Sequence, residues 1–386
     1  MKKTINFILA ICVLVFLFTA CTQDPIFYNT SKAVAPVDPI IQGSPSKPVK
    51  TTADSDGNFD IYTSNGKLWK FSGNSWAAQG SPGKVFDVAI VGNDDIYILV
   101  LDDSTTSVYT ADLSVTDIAW TAVSNSSSYS QIQSLYGVGG KLFAGARGAS
   151  SDNWAILKLD AGDFVILSDE KTGNLSGVAH NGTDYFFTTK PTTTAAAAIY
   201  HSSSSLTTPS KLGDGDGNYA YAATGIFSDP AIGANVIAVT SIGQILEITA
   251  SAIKVHTPRL GSYLYPYTGA IAVWQKQTDP DKKRLLIGVN GGTDDYGYFE
   301  MEINGTTPAW DALNLPGKLR PDSSIDDYAS YSQQLQKHAL RSLITAPPSA
   351  GASSTNLPVV FAATQKSGLW SYRRTDDYPA GVWNAE

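Results

Sequence analysis

A two-part unit recurs seven times along this 386-residue chain, and any fold it adopts must accommodate all seven copies. Each copy is a β-rich run, a turn, and a second aromatic or aliphatic run. It reads Ile61-Tyr62-Thr63 then Leu68-Trp69-Lys70-Phe71, and again Ile96-Tyr97-Ile98-Leu99 then Val108-Tyr109-Thr110. It returns as Leu142-Phe143-Ala144-Gly145 with Ile156-Leu157-Lys158, and as Tyr185-Phe186-Phe187 with Ile199-Tyr200. The last three are Val236-Ile237-Ala238-Val239 with Ile245-Leu246-Glu247, Leu285-Leu286-Ile287-Gly288 with Tyr298-Phe299-Glu300, and Val359-Val360-Phe361-Ala362 with Leu369-Trp370-Ser371-Tyr372. The first six start 35 to 51 residues apart, and the last follows a gap of 74.

Each copy has flanking runs. Upstream lies a small-residue segment such as Val85-Phe86-Asp87-Val88-Ala89, Leu175-Ser176-Gly177-Val178-Ala179 or Gly269-Ala270-Ile271-Ala272-Val273. Downstream lies a short strand, often with a tryptophan: Trp76, Trp120, Trp310 and Trp383 hold that place. Four strands per unit, small residues innermost and bulk outermost, suit a wedge that widens away from a central axis. This pattern resembles β-propellers. The resemblance implies an all-β fold over residues 48–386, a seven-bladed propeller of four-stranded antiparallel blades. Val49 to Asp54 is expected to supply the innermost strand of the first blade and Val382-Trp383 the outermost strand of the last, so that the ring closes without exchanging a strand. A pair of two-layer β-sandwiches is the alternative, and it does not explain sevenfold recurrence. Named subfamilies fit poorly. There is no regular Gly-His…Trp-Asp pattern, the di-glycines Gly139-Gly140 and Gly291-Gly292 are too few for kelch blades, and Ser151-Asp152-Asn153-Trp154 lacks the sialidase Asp-box spacing.

The chain opens Met1-Lys2-Lys3 and then runs through 12 apolar residues from Phe7 to Phe18. That length suits a signal-peptide core and falls short of the ~20 residues of an untilted membrane helix. The run ends Phe18-Thr19-Ala20-Cys21, which resembles the lipobox of bacterial lipoproteins, although Phe18 stands where that pattern prefers Leu, Val or Ile. The resemblance implies cleavage before Cys21 and acylation of its thiol. Cys12 would leave with residues 1–20, so Cys21 becomes the single thiol of the remaining chain and no intramolecular disulfide can form. Acyl chains, at ~0.8 kcal/mol per buried methylene, would hold it at a membrane. Residues 21–47 then read as a lipidated cysteine with a Pro-rich tether, containing Pro25, Pro36, Pro39 and Pro45. Thr22 directly after Cys21 lacks the Asp of the inner-membrane retention rule, which favours the outer membrane.

Without residues 1–20 the balance is 25 basic against 35 acidic residues, a formal −10 that argues against nucleic acid and against docking on anionic lipid. No cofactor motif stands out. Asp54, Asp56 and Asp60 resemble part of a calcium loop, but Phe59 occupies the position that needs Gly, and a hairpin turn explains Asp-Gly-Asn better. Asp214-Gly215-Asp216-Gly217-Asn218 reads the same way. The four histidines, His180, His201, His256 and His338, are expected in four different blades, none at a metal-ligand spacing. His180-Asn181-Gly182 reads as a hairpin turn, and no serine sits in a Gly-x-Ser-x-Gly elbow.

In a propeller the loops between second and third strands share one face with the connections between blades. That face should collect the longer polar loops 102–106, 148–153, 190–194 and 290–296 and the insertion 315–337. Arg147, Asp294, Asp295, Tyr296, Asp326, Asp327 and Tyr328 are therefore candidate ligand-binding residues, with Lys190, Lys318 and Arg320 as further donors, against a solvated rim as the plainer reading. Asp376-Asp377-Tyr378 falls on the opposite face. Tyr219, Tyr221, Tyr263, Tyr265, Tyr267 and Trp274 could stack on sugars, although packing between blades accounts for them more simply. These features predict a monomeric, non-enzymatic binding or scaffolding domain for an envelope protein or glycan. The rivals are an envelope glycosidase or lyase, which needs paired carboxylates about 5–10 Å apart at the channel mouth, and a purely structural assembly platform.

Overall fold

The computed structural model describes residues 40–51, 59–72, 75–102, 105–115, 117–149, 153–191, 197–212, 223–258, 266–276, 279–290, 297–314, 338–345, 358–373 and 382–386. The apolar run from Phe7 to Phe18 and Cys21 lie outside them. Seven four-stranded antiparallel sheets follow one another along the chain. Blade 1 holds β1 (Val49–Lys50), β2 (Ile61–Ser64), β3 (Leu68–Ser72) and β4 (Ser75–Gln79); blade 2 holds β5 (Lys84–Val91), β6 (Asp95–Asp102), β7 (Thr105–Asp112) and β8 (Thr121–Ala122). Blade 3 holds β9 (Gln131–Val138), β10 (Lys141–Arg147), β11 (Trp154–Asp160) and β12 (Asp163–Thr172); blade 4 holds β13 (Asn174–His180), β14 (Asp184–Lys190), β15 (Ala198–Ser203) and β16 (Ser210–Lys211). Blade 5 holds β17 (Ala223–Ser228), β18 (Val236–Thr240), β19 (Ile245–Ile248) and β20 (Ile253–His256); blade 6 holds β21 (Tyr267–Lys276), β22 (Asp279–Val289), β23 (Tyr298–Asn304) and β24 (Thr307–Asn314). Blade 7 holds β25 (Leu340–Thr345), β26 (Pro358–Thr364), β27 (Leu369–Arg373) and β28 (Val382–Ala385). The chain is an all-β, seven-bladed propeller, as expected. Among the described residues no helix is long and apolar enough to cross a membrane.

The repeated apolar run is the second strand of every blade, and burial on both faces explains its composition. Side chains alternate across a strand, so each second strand feeds two different cores. In β6, Ile96, Ile98 and Val100 pack toward blade 1, while Tyr97 and Leu99 pack toward blade 3. In β18, Val236 and Ala238 join the core shared with blade 4, while Ile237 and Val239 join that shared with blade 6. Seven separate hydrophobic clusters result, one at each contact between neighbouring blades. Of the marked tryptophans, Trp76, Trp310 and Trp383 stand on outermost strands and Trp120 directly precedes one.

Near the axis the blades approach backbone to backbone. A Cβ on Gly137 of β9 would stand 1.8 Å from the carbonyl oxygen of Ile90 in blade 2, and one on Gly225 of β17 would stand 2.3 Å from that of Gly269 in blade 6. This close approach is the physical cause of the small residues on the innermost strands.

The ring closes through residues read from sequence as the end of the tether. Ile41 is fully buried among Ile61, Phe71, Phe361, Ala363 and Leu369, between blades 7 and 1. Its N–H donates to the Glu386 carbonyl (2.9 Å) and its carbonyl accepts from Leu369 N–H (3.0 Å), while Gly43 O accepts from Gly368 N–H (2.8 Å). Glu386 in turn accepts from Trp76 Nε1 at 2.9 Å and from Ser371 Oγ. The rings of Phe71, Trp76 and Phe361 meet at 5.2–5.8 Å in the same seam. The packed domain thus begins near residue 40 rather than 48. Ile41 was hidden in the sequence because it is one apolar residue among prolines, and its burial depends on partners some 20 to 330 positions away. As expected, β1 and β28 belong to different blades and no strand is exchanged.

Two outcomes follow for urea unfolding. Ile41→Ala should cost about 2–5 kcal/mol, as for other fully buried aliphatic truncations. Gly137→Ala should cost about 1–3 kcal/mol through overpacking, whereas Gly80→Ala, whose Cβ would meet nothing within 4 Å, should fall within ~0.5 kcal/mol of the parent.

Candidate ligand-binding channel

The innermost strands enclose a cavity of about 1120 Å³, lined from all seven blades. Its lining comes mainly from the beginnings of those strands, where blade connections arrive, together with residues at second-to-third-strand turns such as Asn65, Lys190 and Gln365. The cavity therefore reaches the loop face, and in blade 3 its lining continues to Val138 at the opposite end of β9.

Bulges decide which side chains reach it. Pairing between first and second strands skips Phe86 in blade 2, Gln133 in blade 3, Ser176 in blade 4, Thr224 in blade 5 and Arg341 in blade 7. In blade 6 the register breaks between Tyr267 and Ile271, around Thr268. All six of these side chains line the cavity. A bulge leaves one residue unpaired and re-aims its side chain, here toward the axis.

Some of these groups stitch blades together. Ser176 Oγ donates to Ala223 O of blade 5 (2.9 Å), and Thr224 Oγ1 donates to Tyr267 O of blade 6 (3.1 Å). Beside Phe86, Asp87 accepts from Val88 N–H (3.0 Å) and from Leu135 N–H of blade 3 (2.8 Å). Phe86 and Gln133 are exposed, and Phe86 keeps 43 % of its surface accessible, as the one aromatic among the exposed large hydrophobic side chains described.

The electrostatics are one-sided. Lys47, Lys84, Lys190 and Arg341 line the cavity, and Asp87 is the one carboxylate among the described lining residues. Lys47 reaches across to blade 3, where its Nζ donates to Leu135 O and stands 3.5 Å from the Tyr136 ring centroid, with Asp87 Oδ2 at 4.0 Å. Burial lowers the Lys47 pKa, with Asp87 opposing and Arg341 adding to the shift. Lys190 is exposed to the channel, where partial desolvation by the surrounding wall, then repulsion from Arg341, lowers its pKa. Burial raises that of the Tyr136 phenol, helped by the charge of Asp87. Arg341 Nη1 donates to Ser44 Oγ (3.1 Å), and among the described residues neither Arg341 nor Lys190 has a carboxylate partner.

The residues singled out by sequence are distributed differently. Arg147 ends β10, paired across the sheet with Gln131 and Trp154, and is not part of the cavity lining. Asp294, Asp295, Tyr296, Asp326, Asp327 and Tyr328 lie outside the described residues, as do Lys318, Arg320 and Asp376 to Tyr378. Asp54 and Asp56 also lie outside them, and Asp60 closes a turn with Thr51 (N···O 3.0 Å) and pairs with Lys70 at 2.8 Å. Among the described residues no group of three or more His, Cys, Asp or Glu is placed to hold a metal ion. The histidines do not occupy four blades: His180 on β13 and His201 on β15 share blade 4, because one blade's first and third strands carry them. His256 bonds Glu247 (3.0 Å) and stacks on Trp310, and His338 bonds Ser367 (2.7 Å). Asn181 makes the expected turn, its Oδ1 accepting from Thr183 and Asp184 N–H. Tyr267 and Trp274 are buried between blades, which is packing rather than recognition, and the other four tyrosines of that group lie outside the described residues. The bulge residues were missed. Their signal is a polar residue early in an innermost strand, seen in Gln133, Ser176, Thr224, Thr268 and Arg341.

No protein-family model matches the chain, and no curated protein matches it. Solved structures do. The chain is similar to YCF48 from Cyanidioschyzon merolae at 10 % identity with a TM-score of 0.53, covering 89 % of this chain and 98 % of that one. It is also similar to the computationally designed Ika8 protein (10 % identity, TM-score 0.46, covering 90 % and 98 %) and to a chain of a nidogen/laminin complex (14 %, 0.40, covering 67 % and 93 %). At such identities the likeness defines the architecture alone.

Tyr267 offers a pH test. Its Oη is buried with no hydrogen-bond partner among the described residues, and burial raises its pKa above the ordinary 10.0. The folded chain keeps this proton where the unfolded chain loses it, so the contribution to stability is intact below pH 10 and is lost as the pH climbs beyond. Tyr267→Phe should be as stable as the parent at pH 7, or up to about 1–3 kcal/mol more stable. Chemical denaturation from pH 7 to 11 should show it losing less stability than the parent above pH 10.

Proposed function

We propose that this chain is a bacterial envelope lipoprotein, held at the membrane through acylated Cys21, whose propeller is a rigid binding scaffold. Its loop face engages a protein or glycan partner, and the outer membrane is the favoured site. One observation carries the reading. Bulges bring Phe86, Gln133 and Arg341 to one mouth of the channel, and neither Phe86 nor Gln133 is buried in the fold there. A face assembled from all seven blades is preorganised, so binding orders few groups.

The enzymatic alternative requires two carboxylates facing one another. Asp87, the one described carboxylate of the lining, is held by two backbone N–H groups beside Lys47, as a structural anion would be. That arrangement favours binding over glycosidase or lyase chemistry.

Two measurements test the reading. Cys21→Ser should move the chain from the membrane to the soluble fraction; unchanged membrane retention would remove the lipid anchor. The immobilised full chain should capture a specific envelope component that Phe86→Ala/Arg341→Glu loses and that Lys141→Glu, at the opposite end of blade 3, retains. Capture indifferent to the mouth substitutions, or cleavage of an envelope polysaccharide by the chain, would overturn the scaffold.

A further inference from the structure

Within that binding reading, the geometry points to the ligand chemistry: we infer that the loop-face mouth of the channel binds an acidic saccharide, its carboxylates held by Arg341 and Lys190 and one sugar ring stacked on Phe86. Three independent features converge on this class.

The first is charge. In a chain whose formal net charge is −8, four cations line a single cavity with one described carboxylate, and that carboxylate is engaged by Lys47 and two amides. Arg341 and Lys190 stand at the mouth with no described anion beside them, and a concave wall focuses their field outward. The guanidinium can take a carboxylate with two parallel bonds, and the ammonium adds a point charge. Lys47, already crossing to Leu135 and Asp87, keeps the positive field continuous deeper in the channel.

The second is the neutral lining. Gln42, Ser44, Gln133 and Gln365 are exposed there, and Asn174 is partly so. Amides and hydroxyls both donate and accept, which matches the hydroxyls of a sugar. A peptide added to a strand edge would also need a row of apolar pockets for its side chains. The innermost strands do turn a free edge to the axis, but Phe86 is the one exposed large apolar side chain among the described lining residues.

The third is that ring. Phe86 is held out by its bulge and exposed, with Lys84 Nζ 5.3 Å from its centroid. A flat apolar face beside cations is suited to the C–H face of a pyranose bearing a carboxylate. The cavity volume of about 1120 Å³ slightly exceeds the range of about 300–1,000 Å³ typical for small ligands, which fits several linked rings.

The test uses the full chain in detergent on an array of uronate, sialylated, neutral and sulfated oligosaccharides, with a polyglutamate peptide alongside. The best-retained oligosaccharide is then titrated calorimetrically, with its uncharged counterpart and the peptide as controls. Retention of the carboxylated sugars is expected, with affinity at least about tenfold weaker in Lys190→Gln/Arg341→Gln and falling with added salt. Phe86→Ala should weaken binding several-fold while leaving the salt dependence unchanged. All three positions are exposed, so the variants should keep the parental circular dichroism and melting temperature. The inference is overturned if no carboxylated sugar is retained, if neutral sugars bind equally, if the variants bind like the parent, or if polyglutamate binds the mouth in their place. If envelope capture is still lost on mouth substitution while no sugar binds, the scaffold stands and only the saccharide falls.

Discussion

Lateral packing of one blade against the next is the interaction on which everything else in this molecule depends. A four-stranded sheet of this length exposes two apolar faces, and each face finds its complement only on a neighbouring blade. The second strands show the consequence, sending alternate side chains into two different cores: Phe186 packs toward blade 5, and Tyr185 and Phe187 toward blade 3. Seven such seams leave no open face provided that the last blade meets the first. That final seam is built by Ile41, the Glu386 contacts and the Phe71–Trp76–Phe361 group, so closure uses side chains and a short extended segment rather than a borrowed strand. Both cysteines of the chain, Cys12 and Cys21, precede the propeller, so no disulfide holds the ring, and buried aromatic and aliphatic surface does that work instead.

The same closeness that seals the seams shapes the channel. Where blades converge, backbones approach to distances that exclude a Cβ at Gly137 and Gly225. Bulges in five of the seven innermost strands lift one residue out of register, and blade 6 breaks register around Thr268. Ser176 and Thr224 turn this displacement to structural use by bonding the adjacent blade, whereas Phe86 and Gln133 project freely and Arg341 reaches only the Ser44–Pro45 segment. A packing constraint repeated around the ring thereby generates a set of side chains aimed at one mouth. Binding capacity at the axis is a by-product of how the blades fit together.

Much of the architecture was legible because its signals are local. The run Val236-Ile237-Ala238-Val239 can only be a strand buried on both faces, and the seven repeats of that run mark the seven blades. Glycine turns such as Asn181-Gly182 were equally readable, since their hydrogen bonds close within four residues. The site was less legible. Lys190 was expected on the loop face and does line the mouth, but Arg341, Lys47 and Phe86 were not singled out, and Arg147 stands one strand away from the channel. Nothing about Lys47 in a Pro-rich stretch announces that its amine will meet Leu135 and Asp87, residues 88 and 40 positions further along.

The sequence by itself determined the number of blades, the identity of every second and third strand, and the composition that makes each sheet bury both faces. These follow from periodicities of two residues and of one blade, which a chain carries whatever its neighbours do. Only the tertiary structure decided where the ring closes, which first-strand residues bulge, and which cations share a cavity. Those outcomes depend on distances between segments far apart in the chain, and such distances exist only once seven blades have packed around a common axis.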